Sequence, residues 1–124
     1  VTRELADSED LWSALQSGLV ARLGWETTLR AVAGSVRAMH REGIYHGDLN
    51  LKNILVRPEA KGVATYLIDF DQAKLFVGKL PAALVKTNLD RLLRSVRKLD
   101  PQGNYFSAPR WEEFVNFYYD RATD

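Results

Sequence analysis

The sequence predicts an α+β fold, mostly helical, with one small β-hairpin near its centre. Three observations predict it. Apolar residues recur at helical spacing on both flanks of the chain, the period changes to that of strands between Ile54 and Ile68, and Gly, Pro and Asn mark the changes. At 124 residues the chain has the length of one domain and can bury roughly two-thirds of its unfolded surface.

The elements follow in order. Asp7-Ser8-Glu9-Asp10 supplies a capping side chain and acids suited to a helix N-terminus. Leu11, Trp12, Leu15 and Leu19 continue that helix, which should end between Gly18 and Gly24. A second helix is predicted from Trp25 to Arg41, with Leu29, Val32, Ala33, Val36, Met39 and His40 on one face and Gly43 as its stop. Ile44-Tyr45 reads as a short extended piece before a polar loop from His46 to Asn53. Ile54 to Val56 and Val63 to Ile68 read as strands joined by a turn-forming loop over 57–62. Gly78 and Pro81 make Phe70 to Thr87 irregular. Asn88 is expected to cap a third helix with Leu89, Leu92, Leu93, Val96 and Leu99 as its buried stripe, closed by Asp100-Pro101-Gln102-Gly103. A last helix from about Pro109 places Trp111, Phe114, Val115 and Tyr118 on one face.

Composition excludes several functions. Lys and Arg number 17 against 16 Asp and Glu, so the formal charge of +1 argues against a basic nucleic-acid coat or an acidic tail. No nucleic-acid partner is expected, since the basic segment also lacks interleaved stacking aromatics. Without Cys there is no disulfide framework, thiolate nucleophile or Cys-based zinc site. The longest apolar run, Leu80 to Val85, falls far short of the ~20 residues needed to cross a bilayer.

The chemistry concentrates in His46-Gly47-Asp48-Leu49-Asn50-Leu51-Lys52-Asn53 and, after the hairpin, Ile68-Asp69-Phe70-Asp71. An Asp on a rigid loop can take the proton of an attacking hydroxyl. An Asn five residues later offers a neutral oxygen to a hard cation, and an Asp at the neighbouring strand end adds an anionic ligand. Phosphoryl transfer needs in-line positioning and charge neutralisation, which these groups supply.

The pattern resembles the catalytic loop and metal-binding segment of protein-kinase-like phosphotransferases. By that resemblance Asp48 is the catalytic Asp, Asn53 and Asp69 the metal ligands, and His46 a structural support. Lys52 is either a γ-phosphate contact or a plain surface Lys, and Asp71 is expected to stabilise the loop rather than bind metal. Gly47 stands where many protein kinases carry Arg, and Asp71 replaces the Gly of the metal-binding triplet. No Ala-Pro-Glu follows, and only about 18 residues separate Asp69 from the helix expected at Asn88. Little room remains for a protein-substrate platform, which favours a small-molecule or sugar kinase.

More closely, the sequence is similar to the lipopolysaccharide kinase family, and within it to the 3-deoxy-D-manno-octulosonic acid (Kdo) kinases. The similarity is carried by Thr2-Arg3-Glu4-Leu5, Tyr45 to Asn50, Asn53-Ile54-Leu55, Leu67 to Asp71, and Asn88-Leu89 with Arg91-Leu92-Leu93-Arg94-Ser95. It implies ATP-dependent phosphorylation of a Kdo hydroxyl on a lipid A precursor, with Mg2+, by a cytoplasmic protein peripheral to the inner membrane. It also implies that residues 1–5 form an interlobe hinge and that Glu4, Leu5 and Leu55 contact the nucleotide. No Gly-rich lid and no Val-Ala-x-Lys strand precedes the catalytic loop. The chain is therefore expected to be a kinase-like C-terminal lobe, lacking its N-terminal lobe and inactive alone. A heptose or other small-molecule kinase and a non-catalytic pseudokinase-like module are the alternatives.

Between Lys74 and Lys98 lie seven basic residues and one acid, Asp90. Arg91, Arg94 and Lys98 recur at helical spacing beside the Leu stripe. They form either a solvated helix face or a surface for anionic lipid or for the substrate's phosphates and carboxylate.

Overall fold

The computed structural model describes residues 8–119. Helix α1 (Leu11–Ser17) starts where the Asp10 carboxylate accepts the Ser13 backbone N–H at 2.9 Å, and it stops at Gly18, whose left-handed φ of 85° breaks the path. A short α2 (Leu19–Leu23) follows, so the first predicted helix is two pieces. Helix α3 (Trp25–Arg41) has the predicted bounds, and Leu29, Val32, Ala33, Val36, Met39 and His40 are its buried face. It is the spine of the fold. One side packs on the C-terminal helix α5 (Ala108–Tyr119), the other on the hairpin.

The hairpin pairs β3 (Ile54–Glu59) with β4 (Gly62–Leu67), in register from Ile54 opposite Leu67 to Glu59 opposite Gly62. Strand β3 runs past the expected Val56 to Glu59, and β4 starts one residue early and stops before Ile68; only Ala60 and Lys61 form the turn. Pro58 is tolerated in β3 because the other neighbour, β1 (Glu9–Asp10), pairs only with Leu55 and Val56 and leaves the rest of that edge open. The sheet order is β1-β3-β4, all antiparallel. The Thr65 hydroxyl donates to the Ala31 carbonyl at 3.0 Å, fastening β4 to α3.

A second, two-stranded pairing joins β2 (Ile44–Tyr45) to β5 (Lys74–Leu75), which the sequence reading placed in an irregular stretch. Gly43 makes this possible. Its φ is 79°, and a Cβ there would sit 2.3 Å from the carbonyl oxygens of Phe76 and Gly78. The strap from β5 onward is tied down by Phe76 N–H to the Gly43 carbonyl and Leu80 N–H to the His40 carbonyl, both 2.8 Å.

Helix α4 spans Ala82–Leu99, starting after Pro81 and not at Asn88. Asn88 lies inside it, fully buried. Pro81, with φ of −60°, suits the boundary, and Leu84 and Val85 N–H groups already bond to its carbonyl. The loop between α4 and α5 is organised by Asp100, whose carboxylate accepts the N–H groups of Asn104, Tyr105 and Phe106 at 2.7 to 2.9 Å.

Candidate functional site

The loop from His46 to Asn53 runs from β2 into β3 and is gripped from behind. His46 is fully buried. Its Nδ1 accepts the Asp48 backbone N–H at 3.1 Å, and its Nε2 donates to the Ile68 carbonyl at 2.9 Å. Those partners leave one tautomer, with the proton on Nε2. The ring also packs 4.9 Å, centroid to centroid, from Phe70. His46 thereby couples the loop to the segment following β4.

Behind His46 stands a polar chain that the sequence reading did not contain. Asn88 Oδ1 accepts the His46 N–H at 3.1 Å, and its Nδ2 donates to the His46 carbonyl at 2.8 Å. The same Oδ1 accepts from His40 Nε2 at 2.9 Å, so His40 Nδ1 is the acceptor for the Tyr118 hydroxyl at 2.7 Å. Burial lowers the pKa of His40, opposed by its bond to Asn88. Burial pushes the Tyr118 phenol up to about 12, with the nearby Tyr119 acting in the same direction. Both groups stay neutral at neutral pH. A helical-face pattern does mark His40 and Tyr118 as inward, but nothing local marks Asn88.

Asp48 is exposed, and Asn50 folds across it, its Nδ2 donating to the Asp48 carbonyl at 3.0 Å. Asn50 Oδ1 also accepts the Lys52 N–H at 2.8 Å, opening the single 3-10 turn Leu51–Asn53. Asn53, buried at the end of that turn, donates from Nδ2 to the Asp48 carbonyl at 2.7 Å. Its own carbonyl accepts the Ile68 N–H at 3.0 Å, which sets Asn53 beside the residue preceding Asp69. Asp48 and Asn53 are thus bonded directly, and Asp69 follows the residue that Asn53 holds.

Asp69 is the only described non-glycine residue with positive φ (65°). A short polar side chain tolerates this conformation better than most, and such strain concentrates at functional sites. Lys52 is exposed on the 3-10 turn. Leu55 is half-buried on β3, between Asp10 and Tyr66. Glu4 and Leu5 lie outside the described residues. Asp71 is exposed in a second 3-10 turn, Phe70–Gln72.

Gly47 has a steric cause. A Cβ there would lie 2.2 Å from the Gln72 carbonyl oxygen. The loop passes against the Phe70–Gln72 turn too closely for any side chain, an Arg included.

The donor set suits Mg2+. Asn53 Nδ2 is spent on the Asp48 carbonyl, so its Oδ1 is the free end, and Asp69 adds a carboxylate with no hydrogen bond among the described residues. Mg2+ takes one or two protein oxygens and fills its octahedron with phosphate and water. No group of three or more His, Cys, Asp or Glu able to hold a metal occurs among the described residues. A cleft of about 500 Å³ opens beside Asp48, with Lys52 on the loop side and Arg91, Arg94 and Lys98 of α4 opposite.

Residues 1–118 match the model of the Lipopolysaccharide kinase (Kdo/WaaP) family. The chain is similar to the 3-deoxy-D-manno-octulosonic acid kinase of Stenotrophomonas maltophilia, 42% identical over 94 residues, covering 73% of this chain and 34% of that protein. To the protein of the same name from Mannheimia succiniciproducens it is 29% identical over 120 residues, covering 95% of this chain and 47% of the relative. The chain therefore spans about half the length of such relatives. Its fold is similar to a solved structure described as WaaP in complex with acyl carrier protein, with a TM-score of 0.73 at 23% identity over 94% of this chain and 49% of that one. With the family model spanning nearly every residue, the chain belongs to the lipopolysaccharide kinase (Kdo/WaaP) family.

Proposed function

We propose that this chain is the C-terminal lobe of a phosphotransferase that moves the γ-phosphoryl group of ATP to a Kdo hydroxyl on a lipid A-type glycolipid. One observation carries the proposal: Asn53 is bonded to the Asp48 carbonyl and to the N–H of Ile68, next to Asp69, while the Asp48 side chain is exposed at the rim of a cation-lined cleft. The acceptor class rests on relatives named for Kdo.

In this scheme Asp48 accepts the proton of the attacking alcohol. His46, held between the Asp48 N–H and the Ile68 carbonyl, fixes the position of the loop that carries the carboxylate. Asn53 and Asp69 hold Mg2+. Magnesium supplies charge neutralisation and alignment of the nucleotide phosphates. Lys52 adds a cation beside the base, where negative charge builds up on the transferring group. Leu55, with Glu4 and Leu5, contributes to the nucleotide side. A partner lobe supplies the phosphate lid.

A glycolipid acceptor puts the protein at a membrane surface. Leu75 and Val77 are 80% and 104% exposed beside Phe76, with Lys74 and Lys79 flanking them. Apolar tips between lysines suit peripheral contact with the anionic cytoplasmic face of the inner membrane. No described helix is long and apolar enough to cross a membrane.

The test joins this chain to an ATP-binding N-terminal lobe and follows phosphoryl transfer to Kdo-bearing lipid A. Asp48→Asn should lower the rate by about 10²- to 10⁴-fold with little change in melting temperature. Transfer to no alcohol acceptor overturns the function. Full rate in the variant overturns the role of Asp48.

A further inference from the structure

The cleft beside Asp48 has more positive charge than its own protein can use. Four cations border it, Lys52, Arg91, Arg94 and Lys98, and Asp48 is the one acid among its lining residues. None of the four has an anionic side-chain partner among the described residues. Asp90, the only acid on α4, is already held by Lys86 at 2.9 Å on the solvent side of the helix. Like charges gathered in a concave wall repel one another and raise the local potential, an arrangement that a bound anion relieves.

Arg91 is the most telling of them. It borders both this cleft and a second one of about 350 Å³ lined by Gly47, Gln72 and Lys74. Its Nε is sealed from solvent with no hydrogen-bond partner. An arginine stem packed into the protein with an unmet N–H is a standing cost, and the fork it presents is matched in geometry to carboxylate or phosphate oxygens. The wall is also fixed relative to the base. Ser95 Oγ accepts the Leu51 N–H at 3.0 Å, and Asn88 clamps His46, so α4 is tied to both ends of the catalytic loop. A preformed site loses little to ordering on binding.

We propose that this cleft is the acceptor subsite, in which Arg91, Arg94 and Lys98 bind an anionic substituent of the acceptor sugar and thereby turn a neighbouring alcohol onto Asp48. The inference rests on the phosphotransferase function above and deepens it. The shared chemistry is an anion oxygen near the accepting alcohol. A sugar carboxylate and a glycolipid phosphate are its two sources.

Two measurements test it. The first is calorimetric titration of the two-lobe protein, without nucleotide, with a Kdo methyl glycoside bearing a free carboxylate, with its carboxyl methyl ester, and with inorganic phosphate. The double variant Arg94→Gln/Lys98→Gln alters exposed residues, and circular dichroism checks its fold. It should weaken binding of the free acid about tenfold and flatten the salt dependence, with the ester binding both proteins equally weakly. The second is transfer kinetics, in which the double variant and Arg91→Gln should raise KM for the acidic acceptor about tenfold while kcat moves less than threefold. If phosphate binds in wild type and competes while the glycoside does not, the anion is the phosphate of the glycolipid. Equal affinities of wild type and variant for every anion, or no anion binding at all, overturn the subsite. Binding as expected with no transfer would overturn the function and leave the subsite standing.

Discussion

Asn88 holds His46 by both of its backbone groups, accepting the N–H at 3.1 Å and donating to the carbonyl at 2.8 Å. One amide in the middle of α4 thereby fixes the residue from which the candidate catalytic loop hangs. Through a third bond, to His40, the same amide reaches α3, and through Tyr118 it reaches α5. The helical body and the candidate site are one polar structure, buried where unpaired groups are costly.

Asn88→Leu should therefore damage both. It strands the His46 N–H and carbonyl and the His40 Nε2–H, and the expected loss is on the order of 2–4 kcal/mol. Urea unfolding measures it. Asn88→Asp keeps the acceptor but has no donor for the His46 carbonyl, and should fall between the two. Equal stability of Asn88→Leu and wild type would remove the clamp from the account.

Gly47→Ala should destabilise the chain by about 1–3 kcal/mol, because the Gln72 backbone oxygen that a Cβ would meet at 2.2 Å belongs to a turn that must shift. The Phe70–Gln72 turn follows Asp69 directly, so transfer activity should fall along with the melting temperature. Gly34, with nothing within 4 Å, is the control: Gly34→Ala should be neutral or stabilising.

Asp69 separates stability from function. Its left-handed backbone costs Asp something and Gly nothing. Asp69→Gly should leave the unfolding midpoint within about 1 kcal/mol of wild type, since the relief is offset by a more disordered unfolded chain. Transfer should nevertheless be lost. Asp69→Asn should raise the Mg2+ concentration needed for half-maximal rate more than it raises KM for the acceptor.

Stability should fall off at both ends of the pH scale. His40 has a folded pKa below the ordinary 6.5, so on acidification the unfolded chain takes up the proton first. Its contribution is complete above that ordinary value and is lost as pH falls through the depressed one. Tyr118, raised from 10.0 to about 12, works in the other direction: its contribution is complete below 10.0 and disappears as pH rises toward 12. Urea midpoints measured from about pH 5 to 8 should decline on the acid side in wild type and much less in His40→Gln. An equal acid slope in the two proteins would show that His40 does not titrate across unfolding.

By itself the sequence determined what is local. The period of apolar residues set α3 to its last residue, and β-branched pairs around a polar turn set the hairpin. Asp48, Asn53 and Asp69 could be picked out as candidates because each sits at a strand end or on a short loop, where separation along the chain constrains separation in space. The tertiary structure decided what depends on distant partners. Asn88 looked like a cap because capping preferences are judged over three or four residues, whereas its real partners are 42 and 48 residues away. Gly47 looked like a departure from a motif until the Gln72 backbone showed why no side chain fits. The pairing of β5 with β2 and the cationic wall opposite Asp48 each arise where segments far apart in sequence meet. Short-range propensity has no knowledge of such meetings. Packing does.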